Sequence, residues 1–142
     1  MLRKAVMFFS MSFRRKYLFL LTAAISLYTF LLYRFYPQRA SFGRPGNPAL
    51  LGKTDFKLIT DIRFAIKFVN KYVPWENVCR HQAHQAKILC NLYNIPYRIF
   101  VGFKKNESGK TEGHAWTMVG EVMITGFCRP SDYMVHSVFS KG

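Results

Sequence analysis

The chain has 142 residues, half of them hydrophobic and 17% aromatic; this length suits one domain with an appended helix, and the composition excludes a disordered chain. Lysine and arginine number 21 against 7 acids, a net charge of +14, so the partners to weigh are nucleic acid, anionic lipid or an acidic surface. Nucleic acid is set aside, because no nucleic-acid-binding motif is present and the N-terminal charges flank an apolar run.

Residues 1–36 read as a basic-flanked hydrophobic helix. Tyr17 to Tyr33, YLFLLTAAISLYTFLLY, runs for 17 residues without a charge, with Arg14, Arg15 and Lys16 before it and Arg34 and Arg39 after. At about 1.5 Å per residue such a helix is roughly 25 Å long, the short end of a membrane crossing. Tyr17, Tyr28 and Tyr33 stand towards its ends, where interfacial aromatics belong. The run is too long for the core of a signal peptide, and no small-residue cleavage site follows it before Pro37. Two readings stay open: contact of residues 17–33 with a membrane, peripheral or integral, and packing on the chain's own domain. The first 53 residues hold nine basic side chains and no acid, which suits an anionic surface. Residues 37–53 form a Pro/Gly-rich linker in which Pro37, Pro45 and Pro48 oppose regular structure.

The remaining residues, 54–142, read as one domain. Thr54 and Asp55 suit an N-cap and a first-turn acid, and Leu58, Ile59, Ile62, Ala65, Ile66, Val69 and Val73 then mark one buried helix face. Pro74 ends that helix. A second begins between Glu76 and Cys79 and runs to Tyr93, with a spine of Cys79, Ala83, Ala86, Cys90 and Tyr93 widened by Leu89 and Leu92. Asn94 takes the left-handed exit position before Ile95-Pro96. Tyr97, Ile99, Val101 and Phe103 predict a strand, and Asn106 to Gly109 a turn. In a second strand, from Gly113 to Val119, His114, Trp116 and Met118 alternate with Ala115, Thr117 and Val119. Gly120-Glu121 turns into a third, Val122 to Thr125, giving an antiparallel meander and an α+β domain. Beyond residue 127, Tyr133, Val135 and Val138 fit either an edge strand or a short helix.

Cys79, Cys90 and Cys128 form no CxxC pair, and their odd number leaves at least one free thiol. A cytoplasmic protein is expected, with membrane association left open. Cys79 is the informative thiol. A cysteine at a helix start is helped to ionise by the unpaired amides there, and a strand histidine can take its proton. His81 and His84 lie three apart on the same helix, but two histidines fall short of a zinc site; Cys128 and His136 could complete one, though nothing in their spacing demands it. No metal is assigned, and both histidines are expected on a solvent or partner face.

The segment PWENVCRHQAHQAKILCNLYNIPYRIFVGF, followed by GHAWTMVGEVMITG, resembles the transglutaminase-like leader peptidases of lasso-peptide biosynthesis, the small peptidase half of a split B protein. The matching features are Pro74-Trp75, Cys79, Gln82-Ala83, Ile95-Pro96, Gly102 and His114-Ala115-Trp116. Residues 10–40 are similar to the family's N-terminal helix in composition alone. The resemblance implies a transglutaminase-like (papain-like) α+β core, a cysteine-bearing helix packed on a small antiparallel sheet, with the N-terminal hydrophobic helix added. It implies Cys79 as nucleophile, His114 as general base, Gln82 and Trp116 as substrate or oxyanion support, and no cofactor. The implied partners are a precursor peptide, a separate leader-recognition protein and an asparagine-synthetase-like cyclase.

One departure bears on mechanism. The family pattern places an acid about twelve residues after the histidine to orient its ring, and this sequence has Gly126 there. The nearest acids are Glu121 and Asp132, of which Asp132 is the candidate third catalytic residue. A backbone carbonyl, or loss of activity, are the alternatives. Two other functions therefore stand beside the peptidase: a non-catalytic scaffold of the same fold in the maturation complex, and a small membrane-anchored protein whose cysteine and histidine are structural.

Overall fold

The computed structural model describes residues 2–45 and 55–141. Residues 46–53 of the Pro/Gly-rich segment and the expected cap Thr54 lie outside the described residues. The N-terminal part forms two helices, α1 (Leu2–Ser10) and α2 (Phe13–Phe35), with a break at Met11-Ser12. A 3-10 turn at Pro37–Arg39 and a two-residue strand β1 (Arg44–Pro45) follow. The remainder is α3 (Phe56–Tyr72), α4 (Cys79–Leu92), β2 (Tyr97–Lys105), β3 (Thr111–Val119), β4 (Val122–Thr125), a 3-10 turn at Pro130–Asp132, and β5 (Met134–Lys141). This is the α+β arrangement expected, with an apolar N-terminal helix.

The sheet is antiparallel in the order β1-β5-β2-β3-β4. The meander β2-β3-β4 follows the sequence pattern, and the ambiguous C-terminal stretch becomes β5, paired along β2. The β2–β3 turn closes on Asn106, whose side-chain oxygen accepts from the Ser108 and Lys110 amides at 3.0 Å each. Gly109 takes φ +77° there, a backbone that side-chain-bearing residues avoid.

One core joins the helices to the sheet. Ile59, Ile62, Ala65 and Ile66 of α3 meet Ala83, Ala86, Leu89 and Cys90 of α4 over Ile99, Ala115, Val119 and Ile124. The predicted spine of α4 is buried at Ala83, Ala86 and Cys90, whereas Leu92 is 62% exposed because it falls past the edge of the contact. Asp55 is the N-cap of α3, its side chain accepting from the Lys57 and Leu58 amides. Asn94 closes α4 with φ 54°, as its tolerance of that conformation predicts.

α2 is part of this core. Leu18 and Ile25 are buried in it, and the same face carries the buried hydroxyls of Thr22, Ser26 and Thr29. Its start is tied to α3 by charge. Asp61, 2% exposed, accepts from Arg14 Nε at 3.0 Å and Nη2 at 2.7 Å, and from Arg15 Nε at 3.0 Å. Burial alone would raise the pKa of this carboxyl; the two guanidinium groups outweigh it and hold it below the ordinary carboxylate range.

The two sides of this cluster differ in what is left when it is broken. Arginine side chains that are about two-fifths exposed rehydrate, whereas a buried carboxylate cannot. The double variant Arg14→Ala/Arg15→Ala should therefore lower the melting temperature by more than Asp61→Asn does. Thermal unfolding of the two beside wild type checks the order, and equal losses would show that the charge of Asp61 is not what matters.

Candidate active site

The start of α4 is fixed by what precedes it. Pro74 breaks the chain from α3, and Trp75 Nε1 donates to Ser26 Oγ of α2 at 2.9 Å. The Asn77 carbonyl accepts from Gln82 Nε2 at 3.0 Å, and its side-chain oxygen accepts from Gln85 Nε2 at 2.7 Å. Gln85 Nε2 also donates to Thr29 Oγ1 of α2 at 3.2 Å. The Val78 amide donates to His81 Nδ1 at 3.1 Å. Cys79 is thereby held as the first residue of a 14-residue helix, half-buried, with no acid in that first turn. Cys79 thus stands at the positive dipole end of α4, in the first turn, where main-chain amides have no partner within the helix.

His114 is presented by β3, on which α4 packs. Ala115 and Val119 enter the core under the helices, and His114 and Trp116 alternate with them. His114 Nε2 lies 2.8 Å from the carbonyl oxygen of Gly126. A carbonyl only accepts, so Nε2 carries the proton and Nδ1 of the neutral ring keeps its lone pair. Nearly parallel rings hold the imidazole, Tyr133 at 5.3 Å and Trp116 at 6.2 Å. Gly102, opposite His114 on β2, leaves room for them: a Cβ there would lie 3.1 Å from Tyr133 Cβ and 3.2 Å from Trp116 Cη2.

Gly126 occupies the position where an acid was expected, and its geometry explains the substitution. Its φ is +69°, and a Cβ would collide with the Ala115 carbonyl oxygen and lie 2.8 Å from Trp116 Cα. No aspartate fits this backbone. The bend that excludes a side chain turns the glycine's own carbonyl onto the histidine, so the acceptor is kept while the charge is lost.

No hydrogen bond joins Cys79 Sγ to the His114 ring among the described residues. Gly126, which holds His114, lies two residues before Cys128, whose pKa Cys79 helps to raise. Burial, then Asp132, raise the Cys128 pKa; Lys104 opposes them and Cys79 adds to them. Asp132 is exposed in its 3-10 turn, and no hydrogen bond ties it to His114 among the described residues. Gln82 is committed to the Asn77 carbonyl, and Trp116, 1% exposed, backs the histidine ring while stacking on Phe100 at 5.5 Å.

His81 and His84 are not on an outer face as expected; both are buried, at 1% and 5% exposure, because α2 covers that side of α4. The Tyr33 ring lies 4.9 Å from His81 and 5.8 Å from His84. Burial, with help from Lys87 and His81, drives the His84 pKa down to about 4. Among the described residues no group of three or more His, Cys, Asp or Glu is placed to hold a metal. Sequence reasoning also missed the roles of Tyr133, Asn77 and Gln85. Only Asn77, two residues before the cysteine, carried a signal, as a turn-forming residue next to a helix start.

Residues 21–138 match the family profile described as the transglutaminase-like superfamily. No curated protein and no solved structure gives a significant match.

Two outcomes follow from the geometry. Gly126→Ala should cost about 2 kcal/mol or more in stability from the left-handed backbone and the collision. It should also slow alkylation of Cys79 by iodoacetamide, followed by mass spectrometry of the modified peptide. An unchanged rate in folded protein would mean that the carbonyl does not position His114. The second outcome concerns acid. The folded pKa of His84 lies below its unfolded value of 6.5, so the unfolded chain binds the proton more readily and acid favours unfolding. Stability should be full above about pH 6.5 and fall by up to about 3 kcal/mol as the pH drops towards 4. Denaturant titrations across this range should show that limb reduced in His84→Gln.

Proposed function

This chain belongs to the transglutaminase-like superfamily, and we propose that it works as a cysteine peptidase removing the leader from a ribosomally made lasso-peptide precursor. The matched region takes in both Cys79 and His114, and the sequence around them resembles the leader peptidases of that pathway. The observation that carries the reading is the bond from His114 Nε2–H to the Gly126 carbonyl. It supplies the tautomer and orientation that a general base needs without a third acidic side chain.

In this reading Cys79 Sγ attacks the carbonyl carbon of the scissile peptide while His114 Nδ1 takes the thiol proton. The oxyanion forms beside the first-turn amides of α4. His114 then returns the proton to the leaving amine, which departs as the N-terminus of the core peptide. Water, activated by the same nitrogen, hydrolyses the thioester and releases the leader as a carboxylate. No cofactor takes part. The freed amine passes to the cyclase, which joins it to a side-chain carboxylate. A separate leader-recognition protein holds the precursor. A neutral carbonyl stabilises the imidazolium less than a carboxylate does, so the step relies more heavily on how the precursor is held.

The test is mass spectrometry of precursor incubated with this protein, its recognition partner and the cyclase. Wild type and Cys90→Ala should cleave, and Cys79→Ala and His114→Ala should lose about three orders of magnitude or more. Asp132→Asn should stay within about threefold of wild type, since the ring is held by Gly126. Absence of cleavage by folded wild type with all partners present would favour the scaffold instead.

A further inference from the structure

α2 is apolar on its outer face as well as its inner one. Its buried face carries Thr22, Ser26 and Thr29 alongside three aliphatic residues, whereas Phe13, Tyr17, Leu20, Leu27, Leu31 and Phe35 stand on its exposed side at 41–86% exposure. These residues recur at three- and four-residue steps or their sums, so they form one stripe along the helix. α1 adds exposed Leu2, Val6 and Phe9. Both ends of the stripe carry cations set over aromatic rings: Lys16 over Phe9, Arg34 over Phe35 and Arg39 over Tyr36, at 5.9, 5.7 and 5.4 Å. Among the described residues these three cations form no salt bridge, and the first 53 residues of the sequence contain no acid.

We propose that the outer face of α2 lies flat in the headgroup region of an anionic lipid bilayer, docking the folded domain at a membrane surface. A long apolar strip with aromatic side chains and basic groups at its ends is the pattern of an in-plane helix. Spanning the bilayer is opposed by the other face. Pulling α2 away would empty the Leu18 and Ile25 sites, break the Trp75–Ser26 and Gln85–Thr29 bonds and strand the buried Asp61 carboxylate without its arginines. A second copy is disfavoured as occupant, because it would bring two acid-free, basic segments together. The inference is independent of the catalytic reading and fails or stands without it.

The test is flotation of the full chain with phosphatidylcholine vesicles, with and without phosphatidylglycerol. Binding is expected only with phosphatidylglycerol, weakened by added salt and released by alkaline carbonate. Leu20→Glu and Leu31→Glu should each reduce the bound fraction about tenfold or more, with circular dichroism and Cys79 alkylation unchanged. Equal binding to neutral vesicles, retention through carbonate, or unaltered binding of both variants would overturn the proposal. So would failure of wild type to float, including the case where light scattering shows a dimer that Leu20→Glu disperses.

Discussion

The place of Cys79 depends on the hydroxyl face of α2. Ser26 and Thr29 reach across to Trp75 and Gln85, and Gln85 passes the constraint to Asn77, two residues before the cysteine. A helix that begins after a proline break has a loose first turn unless something outside it sets the entry angle. Here the outside element is an N-terminal helix about fifty residues earlier in the chain, so the apolar segment and the nucleophile candidate belong to one mechanical unit. Buried hydrogen bonds of this kind contribute modestly to net stability but are expensive to leave unmade, and that asymmetry fixes geometry more than it adds free energy.

The same network accounts for what α2 buries. Thr22 and Thr29 at 0% exposure and Ser26 at 1% would be poor choices for a purely apolar contact. Two of the three have partners that define the start of α4, and Thr29 also donates to the Ser26 carbonyl at 2.9 Å. The helix therefore gives its hydroxyl side chains to the protein beside Leu18, Ile25 and Leu32, and keeps a second set of large apolar side chains on the outside, where an ordinary surface helix is polar.

How much of this was legible in the sequence varied with the range of the interaction. Elements set by local chemistry were readable: the periodic face of α3, the Asn94 exit, the Asn106 to Gly109 turn and the alternating β2 and β3. Local pattern also found the cysteine at a helix start and the histidine on a strand. Long-range choices were not readable. Nothing near Asp61 announces that a fairly ordinary helical acid would be buried by arginines 46 and 47 positions away. His81 and His84 looked solvent-facing because their cover, α2, comes from a segment whose destination periodicity cannot give. Tyr133 was read only as part of an edge strand or short helix, because its stacking on His114 depends on how the connection after β4 crosses the sheet, which local pattern does not show.

The Gly126 carbonyl has a consequence for how such chains are recognised and dissected. A main-chain oxygen cannot be removed by side-chain substitution, so a mutational scan meets it only through Gly126→Ala, which disturbs the bend that aims it. Its only trace in the letters is a glycine, a residue that pattern searches treat as spacing rather than function. A search that demands an acid at that offset from the histidine would discard this chain and any sibling built the same way. One that allows either an acid or a glycine in a left-handed bend would keep them, and would sort the group by whether the orienting partner carries charge.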